Sequence, residues 1–271
     1  MADAARLHRI DPGDPVDLTA IDPTDTSAAP GDKSATKAAT GQLVERLAGL
    51  QEILWARRRE SVLVVLQGID TSGKGGTVSH VFDGVNPAGL RVTSFKAPSE
   101  TELARDYLWR VHANVPADGE IGVFDRSHYE DVLAVRVHGL VPAERWRRRF
   151  DHINAFERLL HDEGTTIVKV LLHISKDEQR RRLEARLAEP HKHWKFRISD
   201  LDARARWDDY QAAFADAVER TSTAHALWHV IPADKKWYRN WAVASILVAT
   251  LEGMDLTWPE PPDDLSGVVI E

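Results

Sequence analysis

Residues 61–77 read SVLVVLQGIDTSGKGGT, and this segment carries the strongest structural signal in the 271-residue chain. The continuous apolar run Val62–Leu66 is typical of a strand that is buried on both faces. It leads into Gly68–Lys74, which fits the pattern G-x-x-x-x-G-K, and a helix is predicted soon afterwards, over Thr77–Gly84. Glycines let successive backbone N–H groups turn inward around an anion, and the start of the helix adds a partial positive charge. We therefore predict a phosphate-binding loop whose lysine, Lys74, reaches the phosphates.

Strands and helices alternate on both sides of this loop. Besides Val62–Leu66, strands are predicted at Arg91–Phe95, Ile121–Phe124, Thr166–Ile174 and Trp228–Ile231. Helices are predicted at about residues 40–59, 77–84, 99–112, 142–162, 175–189, 199–220 and 238–252. This alternation predicts an α/β fold in three layers, with a parallel sheet covered by helices on both faces. No internal repeat is visible, so we predict an irregular arm at residues 1–37, one domain at residues 38–258 and a tail at residues 259–271.

Composition narrows the class of protein further. The chain has 35 lysines and arginines against 42 acids, a net charge of −7, which argues against a nucleic-acid partner. Its longest strongly apolar stretch, Trp241–Leu251, is shorter than the ~20 residues of a membrane span. The N-terminal segment has acids where an export signal needs an apolar run, and the absence of cysteine suits a reducing compartment. We therefore expect a cytoplasmic protein that acts without a membrane.

The position after Lys74 holds Gly75, where loops of this kind usually carry a serine or threonine that binds Mg²⁺. Asp70, inside the loop, is the predicted substitute, because a carboxylate is a hard oxygen ligand suited to Mg²⁺. The alternative is that Asp70 only shapes the turn by hydrogen bonding to its own loop.

A second carboxylate, Asp125, follows the strand at Ile121–Phe124 and is itself followed by Arg126. Ligands of parallel sheets bind beyond the carboxyl ends of the strands, so Asp125 and the loop are predicted to meet. Asp125 is then a metal-binding acid at the Walker-B position, and Arg126 is a cation for the transferring phosphoryl oxygens. The alternative role of Asp125 is to cap the turn that follows it.

The segment Lys176–Arg206 is locally basic, with ten lysines and arginines against six acids. Two predicted helices flank the connection Glu189–Lys195 within this segment. Helical hairpins of this kind close over the phosphates in nucleotide kinases, so we predict a lid at about residues 176–206. A solvated helix face is the alternative explanation of these charges.

The order of motifs along the chain resembles that of type 2 polyphosphate kinases. The segments that carry the resemblance are LQGIDTSGKGGT, GVNPAG, SFKAPSE, DYLWRVH, FDRSHYEDVLAVRVH, ISKDEQRRRLEARL, HWKF and KKWYRNW. They lie between about residues 20 and 258, and HYEDV is most similar to the single-domain subgroup that phosphorylates nucleoside mono- and diphosphates. The resemblance implies a P-loop kinase fold like that of thymidylate kinase, with a helical lid, Mg²⁺ (or Mn²⁺), inorganic polyphosphate as phosphoryl donor and ADP or AMP as acceptor. Guanine nucleotides are further expected acceptors, and a homo-oligomer is expected.

The resemblance also implies roles for individual residues. The residues that match the family's catalytic groups, including its two metal-binding acids Asp70 and Asp125, are Asp70, Lys74, Asp125 and Arg126. Those that match its phosphate and polyphosphate contacts are Gly68, Ser72, Gly73, Lys74, Gly75, Gly76, Arg126, Arg136, Arg182 and Arg186. The acids that correspond to groups near the nucleotide base and ribose are Glu130 and Asp131.

Arg182 and Arg186 lie four residues apart on the helix predicted at residues 175–189, so their side chains are expected to project from one face. Two such guanidiniums are suited to contacting successive phosphates of the donor. We therefore expect replacement of Arg182 to weaken polyphosphate use with little change in stability.

Two other functions fit the loop. An ATP-dependent nucleoside or nucleotide kinase would share every loop feature, although Gly75 argues mildly against it. A non-catalytic protein that binds polyphosphate or nucleotides is the second alternative, and the joint presence of Asp70, Lys74, Asp125 and Arg126 argues against it. For the kinase we expect direct in-line transfer without a covalent protein intermediate.

Overall fold

The computed structural model describes residues 4–261, 263–264 and 268–270, and its centre is a six-stranded sheet. The strands are β1 (Arg9–Ile10), β2 (Ser61–Gln67), β3 (Leu90–Ser94), β4 (Ile121–Asp125), β5 (Thr165–His173) and β6 (Trp228–Pro232). Their order across the sheet is β1-β6-β5-β2-β4-β3. β1 runs antiparallel to β6, and every other neighbouring pair is parallel. All five strands predicted from the sequence are present, and β1 is the one that was not predicted.

Helices surround this sheet. They are α1 (Lys33–Arg57), α2 (Lys74–Val81), α3 (Glu100–Leu103), α4 (Trp109–His112), α5 (Ala134–Val137), α6 (Ala143–Asp162), α7 (Lys176–Ala188), α8 (Ser199–Ala205), α9 (Trp207–Thr221) and α10 (Lys236–Glu252). α1 and α2 pack against α10, whereas α6 packs against β5, α5 and α9. The predicted α/β fold with a mostly parallel sheet is confirmed. Within the described residues, no helix has both the length and the apolar composition required to cross a bilayer.

The sheet brings the phosphate-binding loop beside the end of β4. β2 lies between β4 and β5 in parallel register, with Leu66 opposite Asp125 and Gln67 opposite Leu171. All of β2 is buried, as expected for a central strand covered on both faces. The loop that follows β2 therefore opens between the carboxyl ends of its two neighbours, where the parallel-sheet argument predicts that ligands bind.

The N-terminal segment is more regular than the predicted arm. Asp32 accepts a hydrogen bond from the N–H of Ala35 (2.8 Å) and caps α1, which begins earlier than predicted. β1 joins the sheet by pairing Arg9 with His229 of β6. Residues 1–3 of the predicted arm, and residues 262, 265–267 and 271 of the predicted tail, lie outside the described residues. The division into arm, domain and tail stays a prediction.

Two predicted helices are each divided in the structure. The helix predicted at residues 99–112 stops at the end of α3, and Asp106 then accepts hydrogen bonds from the N–H groups of Leu108 and Trp109 at the start of α4. The helix predicted at residues 199–220 is interrupted at Arg206, whose guanidinium donates to the carbonyl oxygen of Val137 (3.1 Å). Hydrophobic spacing runs through both interruptions, so it does not mark them.

A buried polar network joins β5 to α6 and α9. Lys169 of β5 donates to Glu157 of α6 (2.6 Å), to the carbonyl oxygen of Thr221 (2.6 Å) and to the hydroxyl of Tyr129 (3.0 Å). Lys169, Glu157 and Tyr129 are completely enclosed. Burial acts to raise the pKa of Glu157, but the charges of Lys169 and His128 and the hydrogen bonds from both residues together keep this pKa below its usual value. Each buried charge thus has its counter-ion and hydrogen bonds, and the network anchors the 3₁₀ turn at His128–Asp131.

Candidate active site

The phosphate-binding loop needs glycine at two positions where the backbone is left-handed. Gly68 has φ +147° and Gly73 has φ +108°. A Cβ at Gly68 would lie 2.8 Å from the carbonyl oxygen of Leu172 in β5, so the loop passes β5 too closely for a side chain. Lys74 is buried, and its Nζ donates to the carbonyl oxygen of Gly68 (2.8 Å). The ammonium group therefore lies across the loop, where burial and the charge of Arg126 lower the pKa of Lys74.

Asp70 and Arg126 form an ion pair beside this loop. Burial alone would raise the pKa of Asp70, but the charges of Arg126 and Lys74 hold that pKa below its usual value. Asp70 is therefore an ionised carboxylate at neutral pH. Arg126 follows β4 with a left-handed backbone (φ +63°), which turns its side chain back towards the loop that follows β2. The two residues that the sequence predicts for metal and phosphate thus meet in the structure.

The residues present fit a magnesium ion. A Cβ at Gly75 would lie 3.9 Å from Oδ2 of Asp125, so the position that usually carries a metal-binding hydroxyl faces this carboxylate. Within the described residues, no group of three or more histidines, cysteines or acids is arranged to hold a metal ion. Mg²⁺ in kinases is commonly bound by only one or two carboxylates together with substrate phosphates. Asp70 and Asp125 supply two such carboxylates on either side of Lys74, whose ammonium group interacts with both.

Glu130 faces the same loop from the turn that follows β4. Its carboxyl group interacts with the charges of Arg126 and Lys74, yet burial raises the pKa of Glu130 above its usual value. The side-chain amide of Gln67, at the end of β2, donates to Oε1 of Glu130 (3.1 Å) and accepts from Oγ of Ser127 (3.0 Å). Glu130 is thus held against the loop, and its role near the acceptor stays a prediction.

Asp131 and Arg136, which are predicted to contact the substrates, each form an ion pair with another residue of the protein. Asp131 accepts a hydrogen bond from Arg149 (2.8 Å), and burial raises the pKa of Asp131. Arg136 binds Asp216 (2.5 Å) and lies over the ring of Trp146 at 4.8 Å. These contacts tie the segment after β4 to α6 and α9. The substrate roles of Asp131 and Arg136 stay predictions.

The predicted lid is a helical hairpin. α7 and α8 are joined by a 3₁₀ turn at Pro190–Lys195. Arg186 of α7 donates to the carbonyl oxygen of Lys195 (3.1 Å) and to Asp200 of α8 (3.2 Å), which links the two helices. Burial, followed by the negative charge of Asp70, raises the pKa of Asp200. The hairpin therefore lies close to the mouth of the loop.

Arg182 does not project from an exposed helix face as expected. It is 8% exposed, and its Nη1 donates to the carbonyl oxygens of Thr71 (2.9 Å) and Ser72 (2.7 Å). Its Nη2 donates to the carbonyl oxygens of Ala233 (2.7 Å) and Asp234 (3.2 Å), and its Nε donates to Glu178 (2.6 Å). All five N–H groups of the guanidinium are engaged, so Arg182 clamps the back of the loop to the end of β6. The expectation of little change in stability on its replacement is wrong for this reason.

Sequence reasoning missed several side chains at this site. Gln179 donates to the carbonyl oxygen of Asp70 (3.3 Å), and Gln67 holds Glu130. Burial, and then the charge of Glu130, raises the pKa of Tyr210 in α9, which places its hydroxyl near the acids. Arg239 of α10 lies against Gly73. Gln67, Gln179 and Arg239 fall within the motifs LQGIDTSGKGGT, ISKDEQRRRLEARL and KKWYRNW, whereas Tyr210 lies outside every quoted motif.

Phosphoryl transfer needs a cradle for anions, a place for a metal ion and a means of excluding water. The loop has the form of such a cradle, and two carboxylates and a helical hairpin lie beside it. Together with a parallel sheet, they define the class of P-loop kinases.

Within this class, the chain belongs to the polyphosphate kinase 2 (PPK2) family, whose model matches residues 31–258. It is 56% identical to the AMP/ADP-polyphosphate phosphotransferase of Meiothermus ruber over 98% of this chain and 100% of that protein. It is 44% identical to the ADP-polyphosphate phosphotransferase of Rhodopseudomonas palustris over 80% of this chain and 79% of the relative. Its fold matches the crystal structure of polyphosphate kinase 2 from Arthrobacter aurescens TC1 with a TM-score of 0.93 and 48% identity, covering 97% and 94% of the two chains.

Proposed function

We propose that this protein transfers phosphoryl groups from inorganic polyphosphate to ADP and AMP. The observation that carries the proposal is the convergence of three elements at one edge of the sheet. These are the phosphate-binding loop with Lys74, the ion pair of Asp70 with Arg126, and the buried acid Glu130. The names of the Meiothermus ruber and Rhodopseudomonas palustris relatives support the choice of donor and acceptors.

The loop amides and Lys74 bind the phosphates that react. Arg126, now paired with Asp70, is the cation for the phosphoryl oxygens, and Asp70 and Asp125 would hold the metal ion. When bound, Mg²⁺ (or Mn²⁺) would supply positive charge that neutralises the charge developing on the phosphoryl group during transfer. Glu130 and Asp131 orient the acceptor so that its terminal phosphate oxygen faces the end of the polyphosphate chain. The lid helices exclude water, so that the phosphoryl group reaches the nucleotide and is not lost to hydrolysis.

The transfer is a single in-line displacement. An oxygen of the acceptor's terminal phosphate bonds to the end phosphorus of polyphosphate, the P–O bond to the rest of the chain breaks, and a polyphosphate shorter by one unit leaves. Arg126 lies where charge accumulates on the transferring group, and no protein side chain becomes covalently modified. Guanine nucleotides as acceptors, a homo-oligomer and a cytoplasmic location stay predictions.

The first test is product formation. Incubation of the protein with long-chain polyphosphate, Mg²⁺ and ADP is expected to yield ATP, and incubation with AMP is expected to yield ADP, without added ATP. Anion-exchange chromatography of the nucleotides measures both products, and Lys74→Met serves as the inactive control. Failure of both reactions with folded protein would refute the proposed function. Loss of the AMP reaction alone would restrict the acceptors to nucleoside diphosphates.

The alternatives give different results in the same assay. An ATP-dependent kinase would phosphorylate AMP or a nucleoside with ATP as the only donor, and polyphosphate would not replace it. A binding protein without catalytic activity would retain polyphosphate but form no nucleotide product.

A further inference from the structure

Arg239 lies directly behind the phosphate-binding loop. It stands in the first turn of α10, is 2% exposed, and its guanidinium packs against the loop at Gly73 and Gly76. A Cβ at Gly73 would collide with Nη1 of Arg239, and one at Gly76 would lie 3.4 Å from Nη2. Gly73 and Gly76 flank the N-terminus of α2, so the guanidinium adds its charge to the positive end of that helix.

Among the described residues, this buried charge has no counter-ion. Nε and Nη2 of Arg239 donate to the amide oxygen of Asn240 (3.1 and 2.8 Å), whereas Nη1 has no acceptor within the described part of the chain. The nearest charge that acts on it is another cation, Arg182, and burial together with Arg182 lowers the pKa of Arg239 to about 10. Arg182 differs in this respect, because it has Glu178 at 2.6 Å and four carbonyl oxygens.

Such an arrangement does not serve the stability of the unliganded protein. Taking a charge out of water without a partner costs several kcal/mol, and buried arginines are ordinarily paired. Two hydroxyls of the same loop, those of Thr71 and Ser72, are also buried without a hydrogen-bond partner. The loop and Arg239 therefore lack negative charge and hydrogen-bond acceptors. An anion bound at the N-terminus of α2 would supply both.

The charges on the two sides of the loop are unequal. On the β4 side, Lys74 and Arg126 face Asp70, Asp125 and Glu130. On the α10 side, Arg239, Arg182 and Lys236 face one carboxylate, Glu178, and burial together with the two arginines lowers the pKa of Lys236. A chain of phosphates carries about one negative charge per phosphate and is repelled by carboxylates, so the α10 side suits the donor and the β4 side suits the metal and the acceptor.

We propose that Arg239 is a binding residue for the polyphosphate donor, whose phosphoryl groups at the N-terminus of α2 supply the counter-charge that the protein lacks. The identity of the anion rests on the proposed function, whereas the requirement for an anion rests on the geometry of Arg239. The assignment also gives the donor a direction, from the loop towards α10 and away from Glu130.

The experiment compares Arg239→Met with Arg239→Lys and the parent protein, using inorganic tripolyphosphate without metal as the probe. Calorimetry is expected to show about tenfold or more weaker tripolyphosphate binding by Arg239→Met, as for loss of a charge-assisted contact. Arg239→Lys, which keeps the charge, is expected to recover most of the affinity. In the transfer assay, the KM for polyphosphate should rise for Arg239→Met while the KM for ADP stays within about twofold.

Thermal unfolding separates a binding role from a structural one. Arg239→Met is expected to raise the Tm of the unliganded protein, because it removes an unpaired buried charge. The matched control is Arg110→Met. Arg110 is also buried, but it donates to the carbonyl oxygen of Lys96 (2.8 Å) and lies 3.9 Å from Glu102, so its loss should lower the Tm and leave tripolyphosphate binding unchanged.

Two results would overturn the proposal. One is unchanged tripolyphosphate affinity in Arg239→Met. The other is a fall in Tm as large as that of Arg110→Met, since it would make Arg239 a structural residue. Failure of the parent protein to form ATP would contradict the proposed function, but the binding and unfolding measurements would still decide the role of Arg239.

Discussion

Replacement of Asp70 by asparagine is expected to lower kcat at least about 100-fold while the protein remains folded, the scale of loss for a preorganised electrostatic contact. Asp70 is the loop carboxylate that we propose as the metal ligand in place of the missing hydroxyl at Gly75, and its pKa is held low, so the carboxylate is ionised at neutral pH. Asparagine keeps the shape and a carbonyl oxygen but removes the charge. The measurement is steady-state kcat at saturating polyphosphate and ADP over a series of Mg²⁺ concentrations, and the half-saturating Mg²⁺ concentration should rise.

Asp177→Asn is the matched control for this substitution. Asp177 is an exposed aspartate in the first turn of α7, so its replacement should change kcat by less than about twofold. Nearly normal turnover of Asp70→Asn would show that Asp70 only shapes the loop and pairs with Arg126. The metal would then be left to Asp125 and the substrate phosphates.

Replacement of Arg182 by methionine is expected to lower the free energy of unfolding by about 3–5 kcal/mol, the scale found when one partner of a buried ion pair is removed. The change removes the buried partner of Glu178, which keeps only the exposed Arg181, and leaves the buried carbonyl oxygens of Thr71 and Ser72 without their donor. It also detaches the loop from the end of β6, so activity should fall together with stability. Urea unfolding measures the effect as a lower midpoint with an unchanged m-value.

The neighbouring residue provides the control for Arg182. Arg181 pairs with the same carboxylate, Glu178 (2.5 Å), but its side chain is 64% exposed. Arg181→Met should therefore change the free energy of unfolding by less than about 0.5 kcal/mol. Equal stability of the two variants would show that the carbonyl contacts of Arg182 contribute nothing to the fold.

The parts of the structure that could be predicted are those whose sequence pattern lies within a few neighbouring residues. The apolar run of β2 and the glycines of the loop predict a strand and a phosphate cradle, because each depends on neighbouring residues only. The helical hairpin of α7 and α8 was predicted from the helical segments and the charges of residues 176–206, and its closure as a lid stays a prediction. The two-residue strand β1 was missed, since two residues show no alternation and its pairing with β6 joins distant parts of the chain.

The sequence did not predict the orientation of Arg182 and Arg239, for a different reason. On α7, the buried positions include Gln179, Arg182 and Leu183, which follow helical spacing but are mostly polar. A search for an apolar stripe therefore places this face in solvent. On α10, Arg239 closely follows Lys235 and Lys236 and so resembles one more cation at the exposed start of a helix, and only the fold shows that it lies behind the loop.

The contact between Lys169 and Glu157 has a consequence for how β5 finds its alignment in the sheet. Nearly every residue of β5 is buried, so an alternation of apolar and polar side chains does not set which residue pairs with which. A slip of one residue would turn Lys169 to the opposite face, away from Glu157, and bury an unpaired ammonium group at a cost of several kcal/mol. Misaligned pairings of β5 are thereby excluded. Because β5 leads into the helix that carries Arg182, one buried lysine secures the alignment of the whole phosphate-binding edge.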